Sequence, residues 1–461
     1  MSRNRFFALV VLSVLTLAAL PSRAQLAPTP PMGWNSWDAY GFTIDESQFK
    51  ANATVLAGVQ QFGWKYVVID EGWYMANPAG HNLAERKYQL NANGLLIPDA
   101  VRFPSAANGA GFRALADWVH ARGLKFGIHI VRGIPRQAVE ANLPIAGTSF
   151  HAADAADKTA TCPWDDGNYG VADNAAGQAY YDSMLRLYAS WGLDFIKVDC
   201  IATNPYRPTE IRQIAAAIRK TGRPILLSLS PGPTALDHAA DIQQSAQMWR
   251  ISNDHWDGWS FEHAPGTGDF PSGIRAAFDL LAKWYPYTGP GSWPDADMLP
   301  EGWLGPNPGW GRARQSRETP DEQRTEFALW AITRSPLIMG ANLTKLDDLT
   351  RSLMNNQDLL FMNQNVTYSR PVDTSTLGPG FENARVWRAT INEPGARGYA
   401  EYFGFFNLDA QPVTLHTTWK QLGLDGAKHS GQSMWDDSET RESKEISVSL
   451  PAHGSAVFEV R

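Results

Sequence analysis

A lysine and an aspartate that could do chemistry stand two positions apart near the middle of the chain. They are Lys197 and Asp199, within the short apolar run Leu193–Cys200. Alternate side chains of a strand share one face, so a strand here would place both residues on the same side of a sheet. A buried ammonium group holds a neighbouring carboxylate ionised, as a nucleophile or a base requires. The same pair could instead be a purely structural ion pair.

Further polar residues stand where other apolar runs end. The set is Asp70, Glu71, His129, Arg132, Ser228, Ser230, Arg250, Asp254, Asp295 and Asp297. Carboxylates that recur at successive strand ends are typical of an active site. Single members have plainer explanations, since Asp295 could belong to a turn and His129 could be an ordinary core histidine.

Glycoside hydrolysis is the chemistry that this set fits best, because it needs one ionised and one protonated carboxyl group beside the scissile bond. Asp199 and Asp254 are the candidate pair. If their strands are two apart in a sheet, the strand axes lie roughly 9 to 10 Å apart. Inward side chains could then approach the ~5 to 5.5 Å separation of a retaining enzyme. We expect a bell-shaped pH profile in the mildly acidic range, falling where Asp254 loses its proton.

A metal centre is the main rival explanation for so many acidic residues. The carboxylates are interleaved with Lys197 and Arg250, which would repel a cation, and the chain has no His-x-x-x-His pair and no cysteine cluster. No glycine-rich phosphate-binding fingerprint follows any predicted strand. We therefore expect neither a metal nor a cofactor.

The elements that must position these residues alternate between helices and strands. Glycine precedes an apolar run at Gly63, Gly123, Gly192 and Gly222, as at joints where a helix ends and a strand begins. With less obvious runs included, the predicted strands are 32–37, 65–70, 125–130, 193–200, 224–230, 247–252, 292–298 and 335–340. Such a series predicts a (β/α)8 barrel, with a doubly wound α/β sheet as the alternative.

Local patterns predict the remaining organisation. Thr43-Ile-Asp-Glu46 and Thr319-Pro-Asp-Glu322 are both typical of capping boxes at helix starts. The stretches 256–291 and 301–317 are predicted to be loops, which build the binding site of a barrel. After about residue 366, short alternating runs separated by Pro, Gly and Asp predict a C-terminal antiparallel β-sandwich. The predicted catalytic barrel thus spans 25–365 and the sandwich 366–461.

Residues 1–24 have the features of a cleaved signal peptide, with early arginines and an apolar run over 6–20. We expect the mature protein to be secreted or periplasmic and to lack a membrane span. A net charge of -7 over 461 residues, without a basic patch, argues against nucleic-acid and lipid partners and favours a neutral glycoside substrate. Cys162 and Cys200 could pair in an oxidising compartment or stay free.

Six motifs, in order, carry a resemblance to a known family. They are Pro31-Met-Gly-Trp-Asn-Ser-Trp37, Ile69-Asp-Glu-Gly-Trp73, Phe195-Ile-Lys-Val-Asp-Cys200, Trp249-Arg-Ile-Ser-Asn-Asp254, Trp293-Pro-Asp-Ala-Asp-Met298 and Ser335-Pro-Leu-Ile-Met-Gly340. On these motifs the chain resembles glycoside hydrolase family 27, the melibiase or α-galactosidase family. The resemblance implies a (β/α)8 barrel with a C-terminal β-sandwich, and a retaining double displacement without metal or cofactor.

The matched positions also imply roles. Asp199 matches the family's nucleophile and Asp254 its general acid/base. Among sugar-binding positions, Asp70 and Lys197 match contacts to the O3, O4 and O6 region, Arg250 a contact near O2, Trp34 the aromatic floor, and Asp297 a less direct carboxylate contact. The resemblance further implies a disulfide between Cys162 and Cys200.

Three positions depart from the family pattern and concern the choice of sugar. Glu71 stands where α-galactosidases usually have a second aspartate, and its extra methylene would reach into the space of the hydroxymethyl group. That favours a pentopyranose such as β-L-arabinopyranose, which has the stereochemistry of α-D-galactose without C6. Ser230 stands where they have a glutamate, as in N-acetylgalactosaminidases, although the following Pro-Gly does not fit those enzymes. His129 stands where an aromatic residue is common.

The sequence-based hypothesis is a secreted retaining exo-glycosidase that acts on terminal α-D-galactosyl residues. The alternatives on the same scaffold are a β-L-arabinopyranosidase and an α-N-acetylgalactosaminidase. A third hypothesis, a non-catalytic carbohydrate-binding protein, is motivated by the predicted sandwich and the 18 tryptophans. The predicted sugar-binding residues are Trp34, Asp70, Glu71, His129, Lys197, Ser230, Arg250 and Asp297.

Overall fold

A computed structural model describes residues 26–78, 85–263, 269–395 and 398–461. The predicted signal peptide, residues 1–24, lies outside these ranges. Within them, no helix combines the length and the apolar character that a membrane crossing requires.

Eight parallel strands form the first sheet. They are β1 (Met32–Asn35), β2 (Tyr66–Ile69), β3 (Lys125–Val131), β4 (Phe195–Asp199), β5 (Leu226–Leu229), β6 (Met248–Arg250), β7 (Trp293–Asp295) and β8 (Leu337–Met339). Neighbours follow chain order from β1 to β7, and β8 pairs with β1. Beyond β7, the backbone of Leu299 pairs with Met339 and closes the ring. The predicted (β/α)8 barrel is confirmed, and the doubly wound alternative is excluded.

Alternating side chains along the strands form two separate cores. Tyr66 and Phe195 pack together inside the ring, whereas Ile196 packs outward with the helices. Both faces of the sheet are therefore covered, which is why its strands are almost entirely apolar. Lys197 and Asp199 continue the inward row of Phe195 and place polar groups at the carboxyl end of the ring.

The longer helices pack around the barrel. They are α1 (Glu46–Ala57), α2 (Arg113–His120), α3 (Ala175–Ser190), α4 (Pro208–Thr221), α5 (Ile274–Trp284), α6 (Pro320–Thr333), α7 (Asp348–Met354) and α8 (Gln357–Asn365). Shorter helical turns are Trp37–Tyr40, Arg136–Glu140, Ala152–Ala155 and Ala239–Ile242. The capping box predicted at Thr319 is confirmed, since its side chain accepts from the backbone N–H of Glu322.

Two local predictions are wrong. The first box is not built on Thr43: Asp45 caps α1 and accepts from the backbone N–H of Gln48 at 2.8 Å. A carboxylate at this position reaches that N–H directly, so it displaces the upstream hydroxyl. The stretch 256–291 is also not all loop, because α5 lies within it. Ile274, Phe278 and Leu281 form the apolar stripe that buries this helix.

Short antiparallel strands lie in the loops at the mouth of the barrel. Ile134–Pro135, Ala156–Thr161 and Asn168–Val171 form a three-stranded sheet between β3 and β4. After β7, Trp303–Leu304 pairs with Arg314–Gln315. The predicted loop 301–317 therefore contains a small ladder of its own.

The C-terminal region is antiparallel, as predicted. Its strands are β9 (Tyr368–Val372), β10 (Ala384–Gly395), β11 (Gly398–Asn407), β12 (Val413–Thr418), β13 (Gly431–Ser433), β14 (Glu445–Leu450) and β15 (Ser455–Val460). One sheet has the order β9-β10-β11-β15-β13, and β12 pairs with β14. Phe403 of the larger sheet and Val448 of the smaller one share a core, whereas Trp387 faces the barrel side.

Candidate active site

A cavity lies at the carboxyl ends of the barrel strands. Its wall is formed by Trp37, Asp38, Asp70, Glu71, Trp164, Lys197, Asp199, Arg250, Asp254, His255, Trp256, Asp297 and Met298. The cavity is therefore formed by residues at or just beyond the ends of β1, β2, β4, β6 and β7, and both candidate catalytic carboxyl groups line it.

Asp199 ends β4 and is held in place from two sides. Its Oδ1 accepts a hydrogen bond of 2.5 Å from the backbone N–H of Cys200, and its Oδ2 lies 3.4 Å from His129 Nε2. Burial alone would raise the pKa of Asp199, but the hydrogen bond and charge of His129, together with the charge of Lys197, lower it below the ordinary value. The carboxyl group is thus kept ionised, as a nucleophile must be.

Asp70 and Lys197 form an ion pair on the wall of the cavity. Lys197 Nζ donates to Asp70 Oδ2 at 2.8 Å, and Asn35 Nδ2 donates to the same oxygen at 2.7 Å. Burial raises the pKa of Asp70, but the charges of Lys197 and His129 outweigh it and hold this pKa well below the usual range. These groups present one anion and one cation to any hydroxyl groups that enter the cavity.

Arg250 connects Asp254 with Asp297. Its Nη2 lies 3.2 Å from Asp254 Oδ1 and 2.6 Å from Asp297 Oδ2. The side chain of Asp254 is 41 % exposed, whereas those of Arg250 and Asp297 are 3 % and 4 % exposed. Asp254 therefore stands at the cavity mouth, where a leaving group would depart and water would arrive. The positive charges of Arg250 and Lys197 lie among the carboxylates of this wall and would repel a metal cation.

Glu71 follows Asp70 but has different partners. Its Oε1 lies 3.7 Å from Arg86 Nη1. The same nitrogen lies closer to Asp165 Oδ2, at 2.6 Å. Burial and the nearby charge of Asp165 raise the pKa of Glu71 well above its ordinary value, although Arg86 opposes this shift. A neutral carboxyl group at this place can donate a hydrogen bond as well as accept one.

Asp38 also lines the cavity and was not singled out from the sequence. Neither of its carboxyl oxygens has a hydrogen-bond partner within the described part of the chain, and the residue is 1 % exposed. Burial, followed by the charge of Asp297, raises the pKa of Asp38 well above the usual range. It packs against Gly340, where a Cβ would come within 1.8 Å of Asp38 Oδ2. Its only available signal was its position directly after the motif that ends in Trp37.

Three predicted sugar-binding residues do not line the cavity: Trp34, His129 and Ser230. The prediction for Trp34 is wrong, because this side chain points away from the interior of the barrel, is fully buried and donates from Nε1 to the carbonyl of Ala341. Strand alternation explains the error, since its neighbour Asn35 faces Asp70 and Trp34 must face the helices. Trp37 lines the cavity instead.

Ser230 is buried beside β4, where its N–H bonds to the carbonyl of Val198, and it does not line the cavity. His129 is also buried behind the wall, where it meets the sugar site only through its contact with Asp199.

The disulfide between Cys162 and Cys200 is confirmed. It fixes a surface segment to the residue that follows the candidate nucleophile. Trp164, two positions beyond Cys162, is 40 % exposed and lines the cavity. An exposed indole at the mouth of a sugar site offers a flat apolar face on which a pyranose ring can stack.

Two protein-family models match this chain and show the family to which it belongs. A family model described as "Alpha galactosidase A" matches residues 29–136 and 163–365. A second, described as "Alpha galactosidase C-terminal beta sandwich domain", matches residues 383–460. The chain belongs to glycoside hydrolase family 27. The segment that the first model leaves unmatched, 137–162, contains one strand of the sheet at the barrel mouth, Ala156–Thr161, and ends at Cys162 of the disulfide.

Individual family 27 members resemble the chain over nearly its whole length. The β-L-arabinopyranosidase from Geobacillus stearothermophilus is 40% identical, with a TM-score of 0.86 over 94% of this chain and 96% of that one. A variant of that enzyme, in complex with arabinose, is 39% identical with the same TM-score over 94% and 97%. Alpha-galactosidase A from Cellvibrio japonicus is 29% identical over 94% of this chain and 92% of that one. The chain is therefore a glycoside hydrolase.

Proposed function

We propose that the chain is a retaining exo-glycosidase with β-L-arabinopyranosides as its preferred substrates. The observation that carries the choice of sugar is the buried glutamate side chain of Glu71 beside Asp70 in the cavity wall. A six-carbon sugar would have to place its hydroxymethyl group next to this longer side chain, whereas a pentopyranose has no such group.

In the first step, the ionised Asp199 attacks the anomeric carbon while Asp254 donates its proton to the departing glycosidic oxygen. One C–O bond forms to Asp199, the bond to the leaving group breaks, and the aglycone leaves as an alcohol. The product on the enzyme is a covalent glycosyl ester. The placement of Asp254 at the mouth of the cavity suits this role, because the leaving group must depart toward solvent.

In the second step, the roles of the two carboxyl groups change. Asp254, now a carboxylate, takes a proton from a water molecule while the oxygen of this water attacks the anomeric carbon. The ester bond to Asp199 breaks, the sugar leaves with its original anomeric configuration, and Asp199 returns to its ionised form. The low pKa of Asp199 makes it a competent leaving group in this step.

The other polar groups bind the ring. Asp70 and Lys197 offer an acceptor and a donor 2.8 Å apart, which fits a pair of neighbouring hydroxyl groups. Asp38 adds a buried carboxyl group that has no hydrogen-bond partner among the described residues, and a sugar hydroxyl could supply one. We assign to Arg250 the position near O2.

The second candidate is an α-D-galactosidase. It is favoured by the relative from Cellvibrio japonicus, which is an α-galactosidase matched over nearly its full length. The two sugars share ring stereochemistry, so Asp70, Lys197 and Arg250 would serve both. Only the space around C5 separates the candidates.

The test is a side-by-side measurement of kcat/KM on 4-nitrophenyl β-L-arabinopyranoside, α-D-galactopyranoside and N-acetyl-α-D-galactosaminide. We expect the arabinopyranoside to give the highest value. A higher value on the galactoside would favour the second candidate. Asp199→Asn should lose at least about 10³-fold in kcat, and undiminished activity in both this variant and Asp254→Asn would contradict the site assignment itself.

Export from the cytoplasm is part of the same proposal. A disulfide beside the nucleophile fits an oxidising compartment, in agreement with the predicted signal peptide. Fractionation of the producing cells, with the activity measured in each fraction, tests it. Activity confined to the cytoplasm would contradict this part of the proposal.

A further inference from the structure

A second cluster of ionisable side chains lies behind the cavity wall. It consists of His255, Glu301, Glu318 and Glu326, which we call the glutamate cluster. His255 directly follows Asp254, Glu301 and Glu318 flank the segment between β7 and α6, and Glu326 lies within α6. These residues are far apart in the sequence, and only the fold brings them together.

The donor atoms of the cluster have the spacing of a metal site. One ligand atom each from His255, Glu318 and Glu326 lies within 4.8 Å of the other two. Ligands that bind one ion at 2.0–2.2 Å stand at most about 4.4 Å apart. Only a slight contraction would therefore bring all three into contact with a single ion. Glu326 Oε1 already forms a hydrogen bond with His255 Nε2.

The fourth member supplies an independent observation. Glu301 is fully buried, no donor group among the described residues reaches either of its carboxyl oxygens, and its carboxyl group lies within hydrogen-bonding reach of that of Glu326. Its carboxyl group faces that of Glu326, whose charge is the strongest electrostatic influence on it. Both oxygens of Glu318 and Oε2 of Glu326 are unpartnered in the same sense. Buried polar atoms without partners are rare in native proteins and call for an explanation, such as a bound ion.

No basic side chain neutralises these acids within the described ranges. The nearby Arg314 and Arg317 both bind Asp257 instead, and Arg250 binds Asp254 and Asp297. Three carboxylates at this depth require either protons or a cation, because isolated buried charges are very unfavourable. A cation and a set of shared protons are the two physical solutions.

We propose that His255, Glu318 and Glu326 bind a divalent transition-metal ion, either Mn²⁺ or Zn²⁺, beside the buried carboxyl group of Glu301. One imidazole nitrogen among carboxylate oxygens suits these ions, whereas Ca²⁺ and Mg²⁺ prefer oxygen ligands alone. The ion takes no part in the proposed reaction, and this proposal does not depend on which sugar the enzyme prefers.

The expected role of the ion is structural. His255 donates its backbone N–H to Asp297 Oδ2 at 2.8 Å and follows the exposed Asp254. An ion that joins His255 to α6 would fix the segment that carries Asp254 against the barrel. Through Glu318 the same ion would also anchor the end of the segment 301–318 that precedes α6.

Metal analysis of the full chain tests the proposal. After dialysis against metal-free buffer, elemental mass spectrometry should find about one equivalent of Mn or Zn per chain. Treatment with EDTA should lower Tm by several degrees, and separate additions of MnCl₂ and ZnCl₂ should show which ion restores it, with MgCl₂ ineffective. No bound ion, together with a Tm that neither salt changes, would overturn the proposal.

Glutamine variants separate the cation from shared protons. Glutamine resembles a protonated glutamate in shape but is a poor metal ligand, so Glu318→Gln and Glu326→Gln should both lose the ion and the response of Tm to EDTA. Asp321→Asn, on the exposed side of α6, is the matched control and should keep both. Variants that fold with the Tm of the metal-loaded wild type, insensitive to EDTA, would show a proton-sharing network instead. If neither variant folds, the wild-type measurements above decide.

Discussion

Lys197 Nζ donates a 2.8 Å hydrogen bond to Asp70 Oδ2, the same oxygen that accepts from Asn35 Nδ2. This ion pair joins residues that follow or belong to three barrel strands, β1, β2 and β4. Because the charge of Lys197 also lowers the pKa of Asp199, one side chain serves both sugar binding and the ionisation of the nucleophile.

Lys197→Met should therefore affect both functions. Losing one preorganised donor in an active site typically lowers kcat about 10²- to 10³-fold, so we expect kcat/KM to fall at least about 100-fold. The acid limb of the kcat/KM profile should move to higher pH, since the cation that favours ionised Asp199 is gone. Lys220→Met, which removes an exposed pair with Asp182, is the control. An acid limb that stays in place would contradict this role.

Glu71→Asp should change the preference between sugars. Shortening the side chain by one methylene opens the space that a hydroxymethyl group needs, and such a difference is worth about 10- to 200-fold in discrimination. The ratio of kcat/KM for the α-D-galactoside to that for the β-L-arabinopyranoside should rise at least about tenfold. Glu382→Asp, at an exposed position, should leave the ratio unchanged. An equal effect of Glu71→Asp on both substrates would show that Glu71 does not select the sugar.

Asp38→Asn should make the protein less sensitive to pH. The pKa of Asp38 is raised in the folded state, so the folded chain retains a proton that the unfolded chain releases above about pH 4. Wild-type stability is therefore lost as the pH rises from about 4 toward the folded-state pKa, and the asparagine variant avoids this loss.

Urea unfolding at pH 4 and pH 7 measures the effect. The stability of Asp38→Asn relative to wild type should increase between the two values. Asp117→Asn, on the exposed face of α2, should follow the wild type at both. A difference between Asp38→Asn and wild type that is the same at pH 4 and pH 7 would mean that Asp38 is ionised in the folded protein.

Breaking the disulfide should weaken the fold and the mouth of the cavity together. The Cys162→Ser, Cys200→Ser double variant should lose about 2 to 4 kcal/mol of stability. It should also raise KM, because the segment with Trp164 is no longer tied to Cys200. Since these are the chain's two cysteines, dithiothreitol should reproduce the change in wild type and have no effect on the variant. Insensitivity of the wild type to the reductant would oppose this account.

Much of the fold could be predicted because local signals agreed with it. Glycine at helix ends, apolar strands and the box at Thr319 all pointed to the barrel. The prediction failed where two neighbouring residues could both cap a helix, since Asp45 rather than Thr43 caps α1. The apolar stripe of α5 was also present in the sequence, but a surrounding stretch rich in tryptophan and glycine concealed it.

The site was predicted less evenly. Strand alternation placed Lys197 and Asp199 correctly, and the same rule, applied to β1, would have rejected Trp34 in favour of a residue beyond the strand. The sequence marked Asp38 only by its position directly after the motif that ends in Trp37, and its burial without partners became visible only in the structure. The glutamate cluster has no local spacing at all, since its members come from three distant segments.

The central claim is that Asp199 forms a covalent bond to the sugar. Its most direct test is peptide mass spectrometry of the enzyme after reaction with a 2-deoxy-2-fluoro-β-L-arabinopyranosyl fluoride, which slows the second step more than the first. The account predicts one fluoropentosyl adduct, located on Asp199. An enzyme that turns over this compound or the aryl arabinopyranoside with no adduct, or with an adduct on another residue, would contradict it.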